Sequence, residues 1–259
     1  MNRMGRLTEL FERKKERILN VYCTAGFPSP QGTLELMTAI EDAGADIVEL
    51  GMPYSDPLAD GPVIQQSSQA AIANGMTMKR LFEQLEGLRP GLHIPVVLMG
   101  YLNPVLQFGF DRFCSEAARV GVDGLILPDL PEYEFKSTYG SIIKSHGLDF
   151  SFLVTPETSE ERVRRLDGLS SGFLYAVSSS SITGGGSDLS KAADYLDRLK
   201  GYGLKNPVLV GFGIHDKAGF EAACSHASGA IIGSAFIKAV GNSEDQSTAA
   251  RDFIRGIIG

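Results

Sequence analysis

Short apolar segments recur eight times along this chain, separated by stretches whose apolar positions repeat every three to four residues. The eight segments cover 18–24, 46–51, 95–100, 124–129, 149–154, 172–178, 207–213 and 229–235. Most are near-continuous apolar runs rather than strict alternations, as parallel strands covered on both faces require. Helical periodicity fills 33–43, 110–120, 159–169 and 189–200, and Gly44, Gly121 and Gly147 stand where a helix would end in glycine before the next strand. The first residues, 3–17, are charged and amphipathic, with Leu7, Leu10 and Phe11 on one helical face. The interval from Gly51 to Pro95 is too long for one loop and one helix. It predicts a mobile loop and an extra helical piece near 63–74. Eight β-α units in one chain with no Pro/Ser-rich linker predict a single α/β domain over 1–259. The fold is a (β/α)8 TIM barrel with an extra N-terminal helix and an extra helical piece after strand 2.

Composition narrows the partners. The 259 residues are 43% hydrophobic and 21% charged, enough for a substantial core, and the formal net charge is −7. An acidic balance argues against nucleic acid and against an anionic membrane surface, since both reward Lys/Arg patches. No apolar run approaches the roughly 20 residues of a membrane-spanning helix. The N-terminus lacks the apolar core of a signal peptide, and its acidic residues do not suit a transit peptide. Cys23, Cys114 and Cys224 have no metal-like spacing and suggest no disulfide framework, so a cytoplasmic protein is expected.

In a (β/α)8 barrel the chemistry belongs to the carboxyl ends of the strands. Glu49 lies near that end of the second strand, inside an apolar run. Such a group is either a buried structural carboxyl satisfied by neighbours or a general acid/base whose pKa burial has raised. Asp60 follows in a loop rich in Pro, Gly, Ser and Asp. It reads equally as a helix cap before Gly61-Pro62 or as a second proton-handling group. Asp56, before Pro57, is more readily a turn residue. Glycine-bearing segments follow the last three strands: Thr183-Gly-Gly-Gly-Ser187, Gly211-Phe-Gly213 and Gly233-Ser234. Backbone N–H groups there can approach an anion closely, and loops after the seventh and eighth strands form the usual phosphate site of this fold. A Schiff-base lysine is not expected, because Lys79, Lys136, Lys144, Lys200 and Lys205 fall in helices or before strands and Lys238 inside the last helix. Nor is a metal, because His93, His146 and His226 precede strands and leave His215 alone on the catalytic side. What remains is carboxylate acid/base chemistry on a phosphorylated substrate without a cofactor. Tyr101, Asn103, Asp129 and Tyr175 are further polar groups near strand ends. Asp129 either orders the loop opposite it or caps the fourth helix.

These residues together resemble one family, the α subunits of tryptophan synthase. The likeness covers essentially the whole chain. Its most specific element is Glu-Leu-Gly-Met-Pro-Tyr-Ser-Asp-Pro-Leu-Ala-Asp-Gly-Pro at 49–62. Thr-Ala-Gly-Phe-Pro at 24–28, Met-Gly-Tyr at 99–101, Pro-Asp-Leu-Pro at 128–131, Gly-Phe-Gly at 211–213 and Gly-Ser-Ala-Phe at 233–236 support it. The resemblance implies cleavage of indole-3-glycerol phosphate to indole and glyceraldehyde 3-phosphate. It implies Glu49 as the acid/base at indole C3 and the glycerol hydroxyl, and Asp60 as the partner of the indole N–H. It implies indole contacts from Tyr22, where the family usually has Phe, and from Leu127, Tyr175 and Phe212. Gly184, Gly213, Gly233 and Ser234 would hold the phosphate, and Thr183 would lie in the closing loop after strand six. That loop carries three consecutive glycines and is expected to be disordered without ligand. Asp56, Pro57 and Asp129 would take part in loop order or partner contact. The implied partner is a β subunit in an α2β2 heterotetramer, and pyridoxal phosphate (PLP) would reside only in that partner. A stand-alone indole-releasing lyase, a non-catalytic activator of a β subunit and a sugar-phosphate isomerase barrel are the competing readings.

Overall fold

The computed structural model describes residues 5–177, 186–211 and 213–259. All eight apolar segments form strands. β1 (Ile18–Thr24), β2 (Ile47–Gly51), β3 (Val96–Met99), β4 (Gly124–Ile126), β5 (Asp149–Phe150), β6 (Leu153–Val154), β7 (Leu174–Val177), β8 (Val208–Gly211) and β9 (Gly229–Ile232) follow in chain order. They pair side by side as β5-β4-β3-β2-β1-β9-β8-β7-β6, and every pairing is parallel. The fifth segment is continuous in the sequence and divided in the structure. Its first half, β5, pairs with β4, and its second half, β6, pairs with β7. The two ends of the sheet are therefore consecutive in the chain, and this bend closes the barrel.

The seam stays hydrogen-bonded because serines stand where backbone partners are out of reach. Ser171 Oγ accepts from the Phe150 N–H at 3.1 Å, Ser170 Oγ from Phe152 N–H at 3.2 Å, and Ser151 Oγ from Phe173 N–H at 3.2 Å. A buried N–H left unpaired would cost free energy comparable to a lost hydrogen bond.

The helix expected at the N-terminus forms over Arg6–Arg13 and buries Leu7, Leu10 and Phe11. These side chains join Ile18, Ile47, Val97, Ile126, Phe173, Leu209 and Ile231 of the barrel interior, so the helix plugs the amino ends of the strands. A larger apolar layer fills the space between sheet and outer helices. The extra helix after β2 is Pro62–Ala73, with Pro at its first position, where its missing N–H is not needed. The final helical region divides into Ser234–Gly241 and Gln246–Ile258, so Lys238 lies in the helix directly after β9 rather than in the last one.

Asp123, just before β4, organises the plugged end. Its carboxylate accepts from Arg6 Nη1 at 2.9 Å, from Arg89 Nη2 at 2.8 Å and from the Val96 N–H at 2.8 Å. Arg89 also donates to the carbonyls of Ile94 at 3.0 Å and Gly121 at 3.2 Å. Removing one partner of such a buried pair leaves a charge without compensation. Asp123→Ala is expected to lower the unfolding free energy by about 3 kcal/mol, measured by urea titration at neutral pH. A loss under about 1 kcal/mol would show that Arg6 and Arg89 find solvent instead.

Candidate active site

The open, carboxyl end of the barrel holds a cavity of about 710 Å³. Its walls come from Tyr22 of β1, Glu49 of β2, Met99 of β3, Tyr175 of β7, Ile231 of β9 and Ile64 of the helix Pro62–Ala73. The parallel register sets Tyr22 beside Glu49. Two glycines make room for the aromatic walls. A Cβ on Gly51 would fall 2.0 Å from the Tyr22 hydroxyl, and one on Gly211 would fall 2.6 Å from the Tyr175 ring.

Glu49 is fully buried. Its Oε2 accepts from Asn20 Nδ2 at 2.7 Å, while Oε1 has no hydrogen-bond partner among the described residues. Burial pushes the carboxyl up to about 8. The Asn20 hydrogen bond works against that rise, and the charge of Asp60 adds to it. Glu49 therefore carries a proton at neutral pH and can give it up near pH 8.

Asp60 is partly buried, and its pKa is raised by that burial against the hydrogen bond from Tyr101, which lowers it. Neighbouring loops fix its place. The Tyr101 hydroxyl accepts from the Ala59 N–H at 2.9 Å, and Gln65 Nε2 donates to the Asp60 carbonyl at 2.8 Å. The Tyr54 and Tyr101 rings lie 5.3 Å apart, and Asn103 Nδ2 donates to the Tyr54 hydroxyl at 3.2 Å. Asp129 in turn accepts from the Leu102 N–H at 2.9 and 3.1 Å. It thus orders the loop after β3 rather than capping the helix that follows it. The helix after Asp60 has Gly61 as its N-cap with no side-chain cap bond, so the Asp60 carboxylate is not a helix cap.

The part of the lining that follows β8 and β9 is chemically different. Gly211, Gly213, Gly233 and Ser234 line it, with His215 and Lys238. Gly233 caps the helix Ser234–Gly241 without a side-chain bond, and the first-turn N–H groups have no intrahelical partner. Peptide N–H groups at a helix start, beside a lysine, suit an anion. Among the described residues, no group of three or more His, Cys, Asp or Glu side chains is placed to hold a metal ion.

Comparison with known proteins places this geometry. The family model for the tryptophan synthase alpha chain matches residues 8–255. A tryptophan synthase alpha chain of Parabacteroides distasonis is 48% identical, covering 91% of this chain and 92% of its own length. One of Bacteroides thetaiotaomicron is 45% identical over 95% and 96%. The crystal structure of tryptophan synthase subunit alpha from Legionella pneumophila superposes with a TM-score of 0.90 at 33% identity, covering 98% of this chain and 97% of that one. This chain belongs to the tryptophan synthase alpha chain family. The family consists of carbon–carbon lyases of tryptophan biosynthesis, and the parallel barrel is its fold.

Of the residues that the resemblance to tryptophan synthase alpha chains singled out, Tyr22, Glu49, Tyr175, Gly213, Gly233 and Ser234 meet around one cavity. Asp60 stands one residue before Gly61, which lines this cavity, and is not itself in the lining; Leu127 does not join them either. It follows β4 facing the layer between sheet and helices, and lines a separate cavity of about 140 Å³ with Asp129. Asp56 and Pro57 sit in the loop after β2, beside Leu58, which is 94% exposed. Thr183, Gly184 and Phe212, and the loop expected to be disordered, lie outside the described residues, apart from the first residues of the helix Gly186–Gly201. Asn20, the hydrogen-bond partner of Glu49, was not singled out in the sequence, and Lys238 was set aside as a residue inside the last helix. Asn20 is a polar residue at an inward position of an apolar strand, a signal of the same kind as Glu49. The helix break that separates Lys238 from the last helix is marked by Gly241-Asn242 at its end and by Asp245, whose side chain caps the next helix.

The raised pKa has a stability consequence. Unfolded, Glu49 titrates near its ordinary value of about 4.3, and folded near 8, so the folded chain holds an extra proton between these limits. That contribution is full below about pH 4 and is lost as pH rises through 8. Glu49→Gln, which cannot ionise, is expected to be more stable than the parent at pH 8 and to lose less stability between pH 5 and 8. Urea unfolding at both pH values measures this, and parallel pH profiles for the two proteins would contradict it.

Proposed function

We propose that this chain, in a single barrel domain, cleaves indole-3-glycerol phosphate to indole and glyceraldehyde 3-phosphate with Glu49 as proton carrier and Asp60 as partner of the indole N–H. The observation that carries this reading is the buried Glu49 carboxyl, with one oxygen unpaired among the described residues, in a cavity whose lining after β8 and β9 suits a phosphate. The phosphate would anchor against Gly213, Gly233 and Ser234, with the indole between Tyr22 and Tyr175.

The proton inventory then closes on one residue. Oε1 of Glu49 gives its proton to indole C3, and the ring becomes an electron sink whose N–H charge Asp60 stabilises. The carbon–carbon bond breaks toward that sink. The glycerol hydroxyl becomes an aldehyde, and its proton returns to the Glu49 carboxylate. No proton is gained or lost overall, and neither a Schiff base nor a Lewis acid is required. No cofactor is assigned to this chain; PLP would belong to the partner.

The partner in this reading is a tryptophan synthase β subunit in a cytoplasmic α2β2 assembly. The fully exposed Leu58, next to Asp56 and Pro57, supports a contact through the loop after β2, because a large apolar side chain in water gains from being covered. None of the helices of the described residues is long and apolar enough to cross a membrane.

Indole release from indole-3-glycerol phosphate tests the reading. Slow turnover is expected for the chain alone, with a clear rise on adding a β subunit. Activity should fall as pH rises through about 8, since the proton donor is lost. Glu49→Gln should lose at least about 100-fold, the scale of a missing general acid. Full activity in that variant would end the mechanism, and no indole under any condition would end the substrate assignment. High activity without partner would favour the stand-alone lyase. Asp60→Asn should lose much of its activity while its affinity for a phosphate ligand stays near the parent's. A large loss of that affinity would make Asp60 structural.

A further inference from the structure

Asn20 is a primary amide in an otherwise aliphatic layer of the barrel. It is fully buried, and its register neighbours are Ile47 on β2 and Ile231 on β9. Two positions earlier on the same inward face stands Ile18. A branched aliphatic side chain would fill this layer without a polar atom to satisfy, so packing does not account for an amide. Its Nδ2 donates to Glu49 Oε2 at 2.7 Å, and its Oδ1 has no partner among the described residues. The side chain thus carries the desolvation cost of an orphaned oxygen and makes one strong contact, to the carboxyl proposed as the proton carrier.

We propose that Asn20 is the positioning residue of Glu49: its amide occupies Oε2, so that the transferable proton resides on Oε1 and points into the cavity. The assignment rests on the reading of Glu49 given above. A carbonyl oxygen accepts more strongly than a hydroxyl oxygen, so a donor on Oε2 favours the neutral acid that carries its proton on Oε1. Among the described residues Oε1 is the carboxyl oxygen without a protein partner, and Glu49 lines the cavity. The same bond fixes the plane of the carboxyl, as an outer hydrogen bond fixes the orientation of a reacting group. It also favours the carboxylate, which must form midway through the reaction and then take back the hydroxyl proton. Asn20 touches no reacting atom in this scheme and acts only through Glu49.

The ionisable groups around the Glu49 carboxyl are Tyr22 and Cys23 of β1, Tyr175 of β7 and Asp60 of the loop after β2. Both tyrosines are held well above their ordinary range by burial, and Cys23 is pushed up to about 12, so all three stay neutral across the working range. His215 and Lys238 line the same cavity from the segments after β8 and β9. Asp60 is then the one neighbour whose charge raises Glu49, and the Asn20 amide is the donor that opposes it.

The test pairs variants with a measurement on the parent. In the parent, a carbon-13 signal of the Glu49 carboxyl and the side-chain amide signals of Asn20 should titrate together with one midpoint. Asn20→Leu keeps the shape and removes the donor. A hydrogen bond to a charged group is worth about one to two pH units of titration midpoint. The Glu49 midpoint, and with it the alkaline limb of kcat, should therefore move up by about that much. At pH 7 kcat should fall about tenfold or more with KM within about twofold of the parent. Asn20→Asp, which replaces the donor with a second acid, should move the midpoint at least as far. Asn20→Ser, whose shorter hydroxyl retains a donor, should recover part of the shift. A purely structural amide would change folding stability and leave the limb in place. Unmoved midpoints in folded Leu and Asp variants, or Asn20 amide signals blind to the Glu49 titration, overturn the proposal. Because the carbon signal reports Glu49 without turnover, a shifted midpoint alongside an active Glu49→Gln would uphold the contact and sink the catalytic reading instead.

Discussion

Closing a parallel sheet on itself is the constraint from which the rest of this molecule follows. Closure happens in six residues, where 149–154 gives its first half to β4 and its second half to β7. Once the ring is shut, every strand sends alternate side chains into an interior that water does not reach. The helix Arg6–Arg13 seals one end with Leu7, Leu10 and Phe11. Only the carboxyl ends stay open. A polar group placed on an inward position near that end is removed from water and still borders the cavity where a ligand would sit. Glu49 occupies such a position, and its chemistry is a consequence of the closure.

Strand number and strand order were legible because a doubly covered strand must be apolar along its length, and eight such runs alternate with helical periodicity. The amphipathic N-terminal helix and the piece after β2 were legible for the same reason. The division of the fifth strand was not. It depends on which neighbours Phe150 and Phe152 face, and no local propensity encodes that. The serines that satisfy the seam look like ordinary loop residues in the sequence. At the site, Glu49 stood out because a carboxyl in a dry strand demands an explanation. Asp60 did not stand out on its own, and its separation from the cap reading needed the Gly61 backbone and the Tyr101 hydroxyl. Leu127 shows the limit of carrying a contact over by resemblance. One residue beyond β4, the alternation turns it toward the helices and away from the main cavity.

Asp60 illustrates how loops gain precision from one another. Its loop follows β2, yet its anchors come from Tyr101 and, through Tyr54, from Asn103 after β3. That second loop is itself held by Asp129 after β4. Three successive strand ends are thereby joined in one hydrogen-bonded sequence along the rim. Polar residues at strand ends that look unrelated in the chain become a single support for one carboxylate. A contact made by the exposed Leu58 on the same loop would act on Asp60 through this rim, a physical route by which binding at the surface reaches the cavity.

Two buried carboxyl groups in this one barrel show how environment assigns role. Asp123 and Glu49 are both enclosed by the same sheet, on β4's approach and in β2 respectively. Asp123 meets two guanidinium groups and a backbone N–H, so the charge it brings into the interior is matched on the spot. Its place is a fixed cross-link between the plug, the loop before β3 and the start of β4. Among the described residues, Glu49 meets no cation. A single neutral amide faces it, and the nearest charge that bears on it is another carboxylate. With no cation to repay desolvation, the proton itself becomes the neutralising partner, and a proton held by burial alone can be handed to a substrate that brings its own electron sink. The difference between a cross-link and a proton carrier lies in what surrounds the carboxyl, which is why exchanging the partner of Glu49 should alter its function before it alters the fold.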